Sequence, residues 1–293
     1  MAAYADQQLR LLCGKHQVTV YLDAPESYLD PPECELQSLD QLNETQVDVV
    51  IYHLGNSLAN LPQVAAAMTG PPGVVELHDG SLHHLFEAIS LGLDDTQKYC
   101  DVLADVYGKA GADLAQARTH GSRGSVELAL FDLLSPVLGR HQRVIAHSKW
   151  AQLQVKRRAP RVSCVVVPLP APESRRELPR GRLGLSGSDL LIGHAGFVTA
   201  AKRPDVMVDV VRRVRKVEPD AKLVLLGADR SSGLLSAAIH ESGMSEAVIC
   251  TGYLTADELH GYLAAMDVAV ALRSPHLGES SGPVGAAFAA AIP

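Results

Sequence analysis

The residues best placed to do chemistry stand near the carboxyl end, in Leu272-Arg273-Ser274-Pro275-His276-Leu277-Gly278-Glu279-Ser280-Ser281-Gly282. The run Asp267–Leu272 before the loop is aliphatic and too short to favour a helix, so it reads as a buried strand. After the loop, Ser281-Gly282-Pro283 has the form of a helix start and opens an Ala-rich stretch to Ala291. A strand–loop–helix unit points spare backbone N–H groups and the positive end of the helix dipole into its loop. Anions, phosphates above all, bind well there. Glu279 stands just before those donors. Its carboxylate repels phosphate but accepts hydrogen bonds from hydroxyls, so a sugar hydroxyl is its better partner.

The elements that must position this loop follow from the pattern along the chain. Ala2–Cys13 reads as a helix stopped by Gly14, and Gln17–Leu22 as a strand. Val47–Tyr52 is a strand ending at His53-Leu54-Gly55-Asn56-Ser57; Leu61–Met68 is a helix; Val74–Leu77 is a strand ending at His78-Asp79-Gly80. From Leu82 to Leu138 several helices are broken at Gly108 and around Gly121–Gly124. Arg143–His147 and Cys164–Pro168 return to strands, with a helix opening at Ser148. Strands alternating with helices imply an α/β fold with a parallel sheet, whose ligands sit beyond the carboxyl ends of the strands. Gly55-Asn56 and His78-Asp79 are at such ends.

Residues 1–170 form a first domain on this reading, the Pro-, Gly- and charge-rich 171–188 a linker, and 189–293 a second α/β domain. The second domain opens with strand Leu190–Ala195, a turn Gly196–Ala201 and helix Pro204–Val217. That helix carries Val206, Val210, Val214 and Val217 on one face, with Arg212, Arg213, Arg215 and Lys216 as its solvated face. Strands Lys222–Leu226 and Val248–Cys250 follow. A further helix, Thr255–Ala265, begins with a capping box of Thr255 and Glu258.

Composition narrows the classes. The 293 residues are 47% hydrophobic, enough for a sizeable core. A net charge of -7 argues against general nucleic-acid binding. No apolar run reaches the ~18 residues of a membrane-spanning helix, which leaves a peripheral membrane contact open. The amino terminus lacks a secretory pattern, and Cys13, Cys34, Cys100, Cys164 and Cys250 form no C-x-x-C pair. A reduced, cytoplasmic protein is expected.

Gly193-His194-Ala195-Gly196-Phe197, Lys202-Arg203-Pro204, Leu225-Leu226-Gly227, Thr251-Gly252-Tyr253 and Gly278-Glu279-Ser280-Ser281-Gly282 occur in that order. Together they resemble the nucleotide-sugar-binding half of the family-4 retaining glycosyltransferases of the GT-B fold (glycosyl transferases group 1). Tyr52–Ser57, Leu77-His78-Asp79 and His147-Ser148 resemble, more weakly, the acceptor-side half. The resemblance implies two Rossmann-like domains facing a cleft and transfer of a sugar from a nucleoside-diphosphate donor with retention. It implies no cofactor and no catalytic metal. His78, Lys202 and Glu279 are the implied catalytic residues. Lys202 would stabilise charge on the leaving diphosphate, and Glu279 would bind hydroxyls of the donor sugar. Gly196, Lys202, Arg273, Glu279, Ser280, Ser281 and Gly282 would line the donor site, with Asn56 and Asp79 on the acceptor side. The acceptor stays open among glycan, lipid, protein and small molecule.

The chain departs from the family at two places. Phe197 stands where many members carry an Arg that binds phosphate, and Ala286 and Ala287 occupy the stretch where many carry a ribose-binding Glu. Both ends read as incomplete: the opening strand and Gly-rich turn, and the closing strand and helices, are expected outside these residues. A truncated, non-catalytic nucleotide-binding remnant is the alternative, and a sugar-nucleotide epimerase of the same fold a third reading. His78, His83 and His84 form no convincing metal set, since two are adjacent and no cysteine or spaced carboxylate completes them.

Overall fold

The computed structural model describes residues 2–28, 31–42, 47–92, 95–122, 124, 126–170, 180–187, 189–276 and 280–293. It divides into two units, one built on the chain up to Leu169 together with Ser280 and the other on Pro170–His276 with Ser281–Pro293.

In the first unit, α1 (Ala2–Cys13) leads to β1 (Thr19–Leu22), which pairs in parallel with β2 (Glu35–Ser38). The main sheet follows. Its elements are β3 (Ile51–Leu54), α2 (Leu61–Thr69), β4 (Val74–Leu77), α3 (His83–Gly92), α4 (Thr96–Thr119) and the short α5 (Glu127–Leu130) and α6 (Ser135–Leu138). Then come β5 (Arg143–Ala146), α7 (Lys149–Arg158) and β6 (Ser163–Val166). The strands lie in the order β3-β4-β5-β6, all parallel. Side chains alternate between the two faces of a strand. Tyr52 and Leu54, Val75 and Leu77, Val144 and Ala146 therefore share one face, and all are buried. Val64 and Ala67 of α2 and Tyr99 and Leu103 of α4 belong to the same core. The expected break at Gly108 is a kink within α4, at φ 60 and ψ -140.

The second unit contains β7 (Leu191–Ala195), β8 (Val198–Thr199), α8 (Pro204–Val214), β9 (Lys222–Leu226) and β10 (Asp229–Arg230). It continues with α9 (Leu234–Ser242), β11 (Val248–Cys250), α10 (Ala256–Ala264), β12 (Val268–Ala269) and α11 (Gly282–Ala289). Its sheet runs β11-β9-β7-β12, with β8 and β10 as a separate parallel pair. Both faces are covered, as parallel sheets require. Leu191, Ala195, Val224 and Leu226 pack with Tyr262 and Leu263 of α10 and Ala286 of α11. Ile192, Leu223 and Leu225 pack with Met207, Val208 and Val211 of α8 and Leu235 of α9.

Several expectations need correction. The strand expected over Asp267–Leu272 is only Val268–Ala269. Asp267 turns its carboxylate back to accept from Leu191 N–H and the Arg180 guanidinium, and Ala269 N–H donates to Pro293 O. The strand expected from Val47 begins at Ile51, with Val49 exposed. Helix α8 ends at Val214 and buries Met207, Val208 and Val211; Val210 and Val217 are exposed. Arg212 and Arg213 are solvated as expected, both on Asp209, and Lys216 is exposed, but Arg215 lies past the helix end, half-buried, and donates to Ala221 O at 2.8 Å. Part of the expected linker is built into the second unit. Leu185 is buried, and Arg180 bonds to Ala265 O, Asp189 O and Asp267.

Candidate functional site

In the second unit the site begins at Gly196, directly after β7. Its N–H donates to Leu226 O, and its φ of 97 suits glycine. Gly227, directly after β9, lies so close that a Cβ there would stand 2.4 Å from Gly196 O. The two sheet strands therefore end in a turn that only glycine backbone can build. From Gly196 the chain passes through β8 and a short 3-10 turn, Ala200–Lys202, into α8. Lys202 sits at the mouth of that helix. Ala201 O accepts from Ser274 N–H at 2.8 Å, which stitches the Arg273-Ser274 segment beside Lys202. A Cβ on Gly196 would lie 3.7 Å from Pro283 Cγ, so the turn also abuts the start of α11. Ser281 caps that helix, its Oγ accepting from Val284 N–H.

Gly196, Lys202, Arg273, Ser281 and Gly282 are thus brought to the carboxyl end of one sheet, where the N-termini of α8 and α11 open. Arg273 and Gly282 are exposed, Lys202 and Ser281 half-buried. Ser280 does not join them: it belongs to the first unit, where its Oγ donates to His147 O at 3.2 Å, and Glu279 lies outside the described residues. Burial holds His194 below the ordinary imidazole range; the Val270 carbonyl opposes this and the nearby Lys202 ammonium adds to it. The neighbouring Arg203 is committed to Asp205 at 2.8 Å. At the departure from the family pattern, the Arg230 guanidinium lies over the Phe197 ring, 3.9 Å from its centroid. Register explains it: β8 pairs with β10 and aligns Thr199 with Arg230. Ala286 and Ala287 face the core. An apolar cavity of about 210 Å³ lies beside α11 between Gly193, Val270 and Phe288, and its lining suits side-chain packing rather than phosphate.

In the first unit, Asn56 and Asp79 meet, Asn56 N–H donating to Asp79 Oδ2 at 2.6 Å. Asn56 Oδ1 accepts from Leu85 N–H at 3.0 Å. The pair braces the loops after β3 and β4. His78 does not join His83 and His84. His83 is buried between Phe131 O and the Tyr99 hydroxyl, and His84 faces Glu87. His78 instead stacks on His53, with ring centroids 5.6 Å apart, and tilts against His147 at 4.9 Å. Its Nε2 is 3.3 Å from His53 Nδ1. Burial, with His53 and His147 adding to it, depresses its pKa to about 3, so its ring is neutral at neutral pH. Fully buried Glu76 completes the group, facing His53 at 3.8 Å and His147 at 3.4 Å.

Sequence reasoning missed His53, Glu76 and His147 as neighbours of His78, and Arg230 as a neighbour of the Gly196 turn. The available signal was the two-residue spacing of Glu76 and His78. The remaining partners depend on register between strands, which no local pattern reports.

Residues 189–293 match the family described as glycosyl transferases group 1. Among curated proteins, no sequence matches the chain. Among solved structures, sucrose-phosphate synthase from Thermosynechococcus elongatus is similar at 16% identity, over 98% of this chain and 73% of that one, with a TM-score of 0.58. The Anabaena HepE protein, in complex with UDP-glucose, is similar at 17% identity over 98% and 74%, with a TM-score of 0.58. WaaG, a glycosyltransferase involved in lipopolysaccharide biosynthesis, is similar at 13% identity over 100% and 75%, with a TM-score of 0.55. Residues 189–293 thus match the glycosyl transferases group 1 family, and the chain has the fold of the GT-B glycosyltransferases.

Proposed function

We propose that this chain transfers a sugar from a nucleoside-diphosphate donor to a glycan, lipid or small-molecule acceptor, as a family-4 enzyme acting with retention of configuration. The observation that carries the reading is the convergence in the second unit. Two helix N-termini, the Lys202 ammonium and the Arg273 segment meet on a turn that only glycine can form. Such an arrangement favours a diphosphate. The bound UDP-glucose of the HepE protein, which shares the fold, supports the same class of donor.

In the reaction, the bond from the anomeric carbon to the diphosphate breaks. The acceptor oxygen takes its place on the same face, and the acceptor proton goes to the departing phosphate oxygen. Lys202 meets the charge that builds on that oxygen. Arg273 adds to it, and Arg230 supplies the guanidinium missing at Phe197. Glu279 holds hydroxyls of the donor sugar, with the amides of Ser280, Ser281 and Gly282 on sugar or phosphate. These groups do the work that a divalent ion does in other transferases. Five unpaired cysteines favour a reducing cytoplasm as the place of action.

The test uses UDP- and GDP-sugars, following turnover and the anomeric configuration of the product by NMR. Turnover with retention, at a rate unchanged by added manganese or magnesium, is expected. Glu279→Gln should lower turnover more than it lowers affinity for the bare nucleoside diphosphate. Diphosphate binding with no turnover of any sugar donor would instead select a non-catalytic nucleotide-binding domain.

A further inference from the structure

The histidine cluster of the first unit holds a buried carboxylate oxygen that accepts no hydrogen bond. Register aligns His53 of β3 with Glu76 of β4 and Ile145 of β5. Two-residue alternation then places His53, Glu76, His78 and His147 on one face of the sheet. Glu76 is fully buried. One carboxylate oxygen, Oε2, accepts from Gln8 Nε2 of α1 at 3.0 Å. The other, Oε1, accepts no hydrogen bond. It faces His147 Nε2 at 3.4 Å.

His147 Nδ1 lies 2.8 Å from Val167 O. A carbonyl can only accept, so Nδ1 carries a proton and donates to it. A buried carboxylate needs a cation or a hydrogen-bond donor for each oxygen. Among the described residues the ion-pair partners of Glu76 are His53 and His147, with no lysine or arginine.

We propose that the first unit binds a divalent metal ion of the zinc class, with His53 Nδ1, His78 Nε2 and the Glu76 carboxylate as ligands. The three ligand atoms all lie within 4.8 Å of one another. His53 Nδ1 and His78 Nε2 are 3.3 Å apart, and His53 Nδ1 and Glu76 Oε2 are 3.8 Å apart. A tetrahedral zinc with bonds of ~2.0–2.1 Å needs ligand atoms roughly 3.3 Å apart, so small side-chain adjustments close the site. Gln8, which donates to Glu76 Oε2, acts as an outer partner that orients such a ligand. The His53 side chain is 25% exposed and gives the ion its access. The ion lies across the ends of β3 and β4 and, through Gln8, is coupled to α1. His78 is then a ligand rather than a sugar contact.

The experiment uses the full chain, stripped with a chelator and titrated with zinc chloride alone, so its outcome is independent of any sugar donor. One equivalent of zinc, a melting temperature raised by zinc, and a tetrahedral visible spectrum with cobalt in place of zinc are expected. His53→Ala and His78→Asn should each weaken zinc binding at least ~10- to 100-fold and abolish the thermal shift. Should either variant fail to fold, the other carries the comparison. Absence of stoichiometric zinc binding by the wild type overturns the proposal, and so does undiminished affinity in a folded variant.

Discussion

The two units solve the same placement problem with different materials. Each has a four-stranded parallel sheet and gathers its polar groups at or just beyond the carboxyl ends of adjacent strands. In the first unit those groups are ionisable side chains: His53, Glu76, His78 and His147. In the second they are mainly backbone: the Gly196 and Gly227 turn and the openings of α8 and α11, with Lys202 as the close-set cation. Side chains can switch protonation or hold an ion. Backbone dipoles cannot switch, but they need no reorganisation when charge develops against them. The second arrangement suits a leaving group whose charge changes during a reaction, and the first a fixed guest.

The largest effect should come from breaking the backbone-built site. A Cβ at Gly227 would stand 2.4 Å from Gly196 O, and the obstacle is backbone, which cannot step aside. Gly227→Val should cost about 3 kcal/mol or more of stability and remove nucleoside-diphosphate binding altogether. Thermal melting and calorimetry on the same sample read both. Wild-type affinity in a folded Gly227→Val chain would mean that the turn is no part of the donor site.

Lys202→Ala should come next. Losing one charge-assisted hydrogen bond costs about 1.5–3 kcal/mol, a roughly 10- to 150-fold weaker Kd for UDP or GDP. Arg230→Ala should cost less, because its guanidinium is already occupied with the Phe197 ring. If Arg230→Ala is the more damaging of the two, the cation that meets the diphosphate has been misassigned.

The difference between the units also decides what could be read from sequence. The second site depends on signals that lie close together along the chain, and these were legible: Ser281-Gly282-Pro283 opens α11, and Thr255 with Glu258 forms both halves of the expected capping box. The first site depends on alignment across strands. His53 and His147 are 94 residues apart in sequence, and only the pairing of β3, β4 and β5 brings them to Glu76. The buried face of α8 was misread for a third reason. Val206, Val208, Val210, Val211 and Val214 spread over more than half of the helix, so periodicity alone could not choose the stripe. Strand β2 was missed because Glu35-Leu36-Gln37-Ser38 is too polar to read as a strand.

A smaller effect separates stability from binding. Thr255→Ala removes the side-chain cap of α10, whose Oγ accepts from Glu258 N–H. It should cost about 1 kcal/mol of stability and leave the diphosphate Kd unchanged. A shift in Kd would show that the second site is sensitive to packing at a helix start it does not use.

The smallest effect belongs to the first unit, where buried histidines make stability depend on pH. His141 is the cleanest case. Its Nε2 donates to Ala67 O at 2.9 Å, and its Nδ1 accepts from Gly73 N–H at 3.2 Å. Both nitrogens are committed with the ring neutral, and a proton added at Nδ1 would meet the Gly73 N–H. Burial first of all lowers its pKa; the Ala67 carbonyl opposes this and Arg140 adds to it. The sign follows from linkage. A base with a depressed folded-state pKa binds fewer protons folded than unfolded, so its contribution is fully present above the unfolded imidazole value, ~6.5, and is lost as pH falls below it. Between pH 7.5 and 6 that window is only being entered, and the loss from one histidine is correspondingly small. His141→Gln keeps a polar side chain but cannot titrate. It should flatten the pH dependence of the melting temperature over this range while leaving diphosphate affinity at pH 7.5 untouched. An unchanged slope would mean that the acid sensitivity of the first unit resides in other groups.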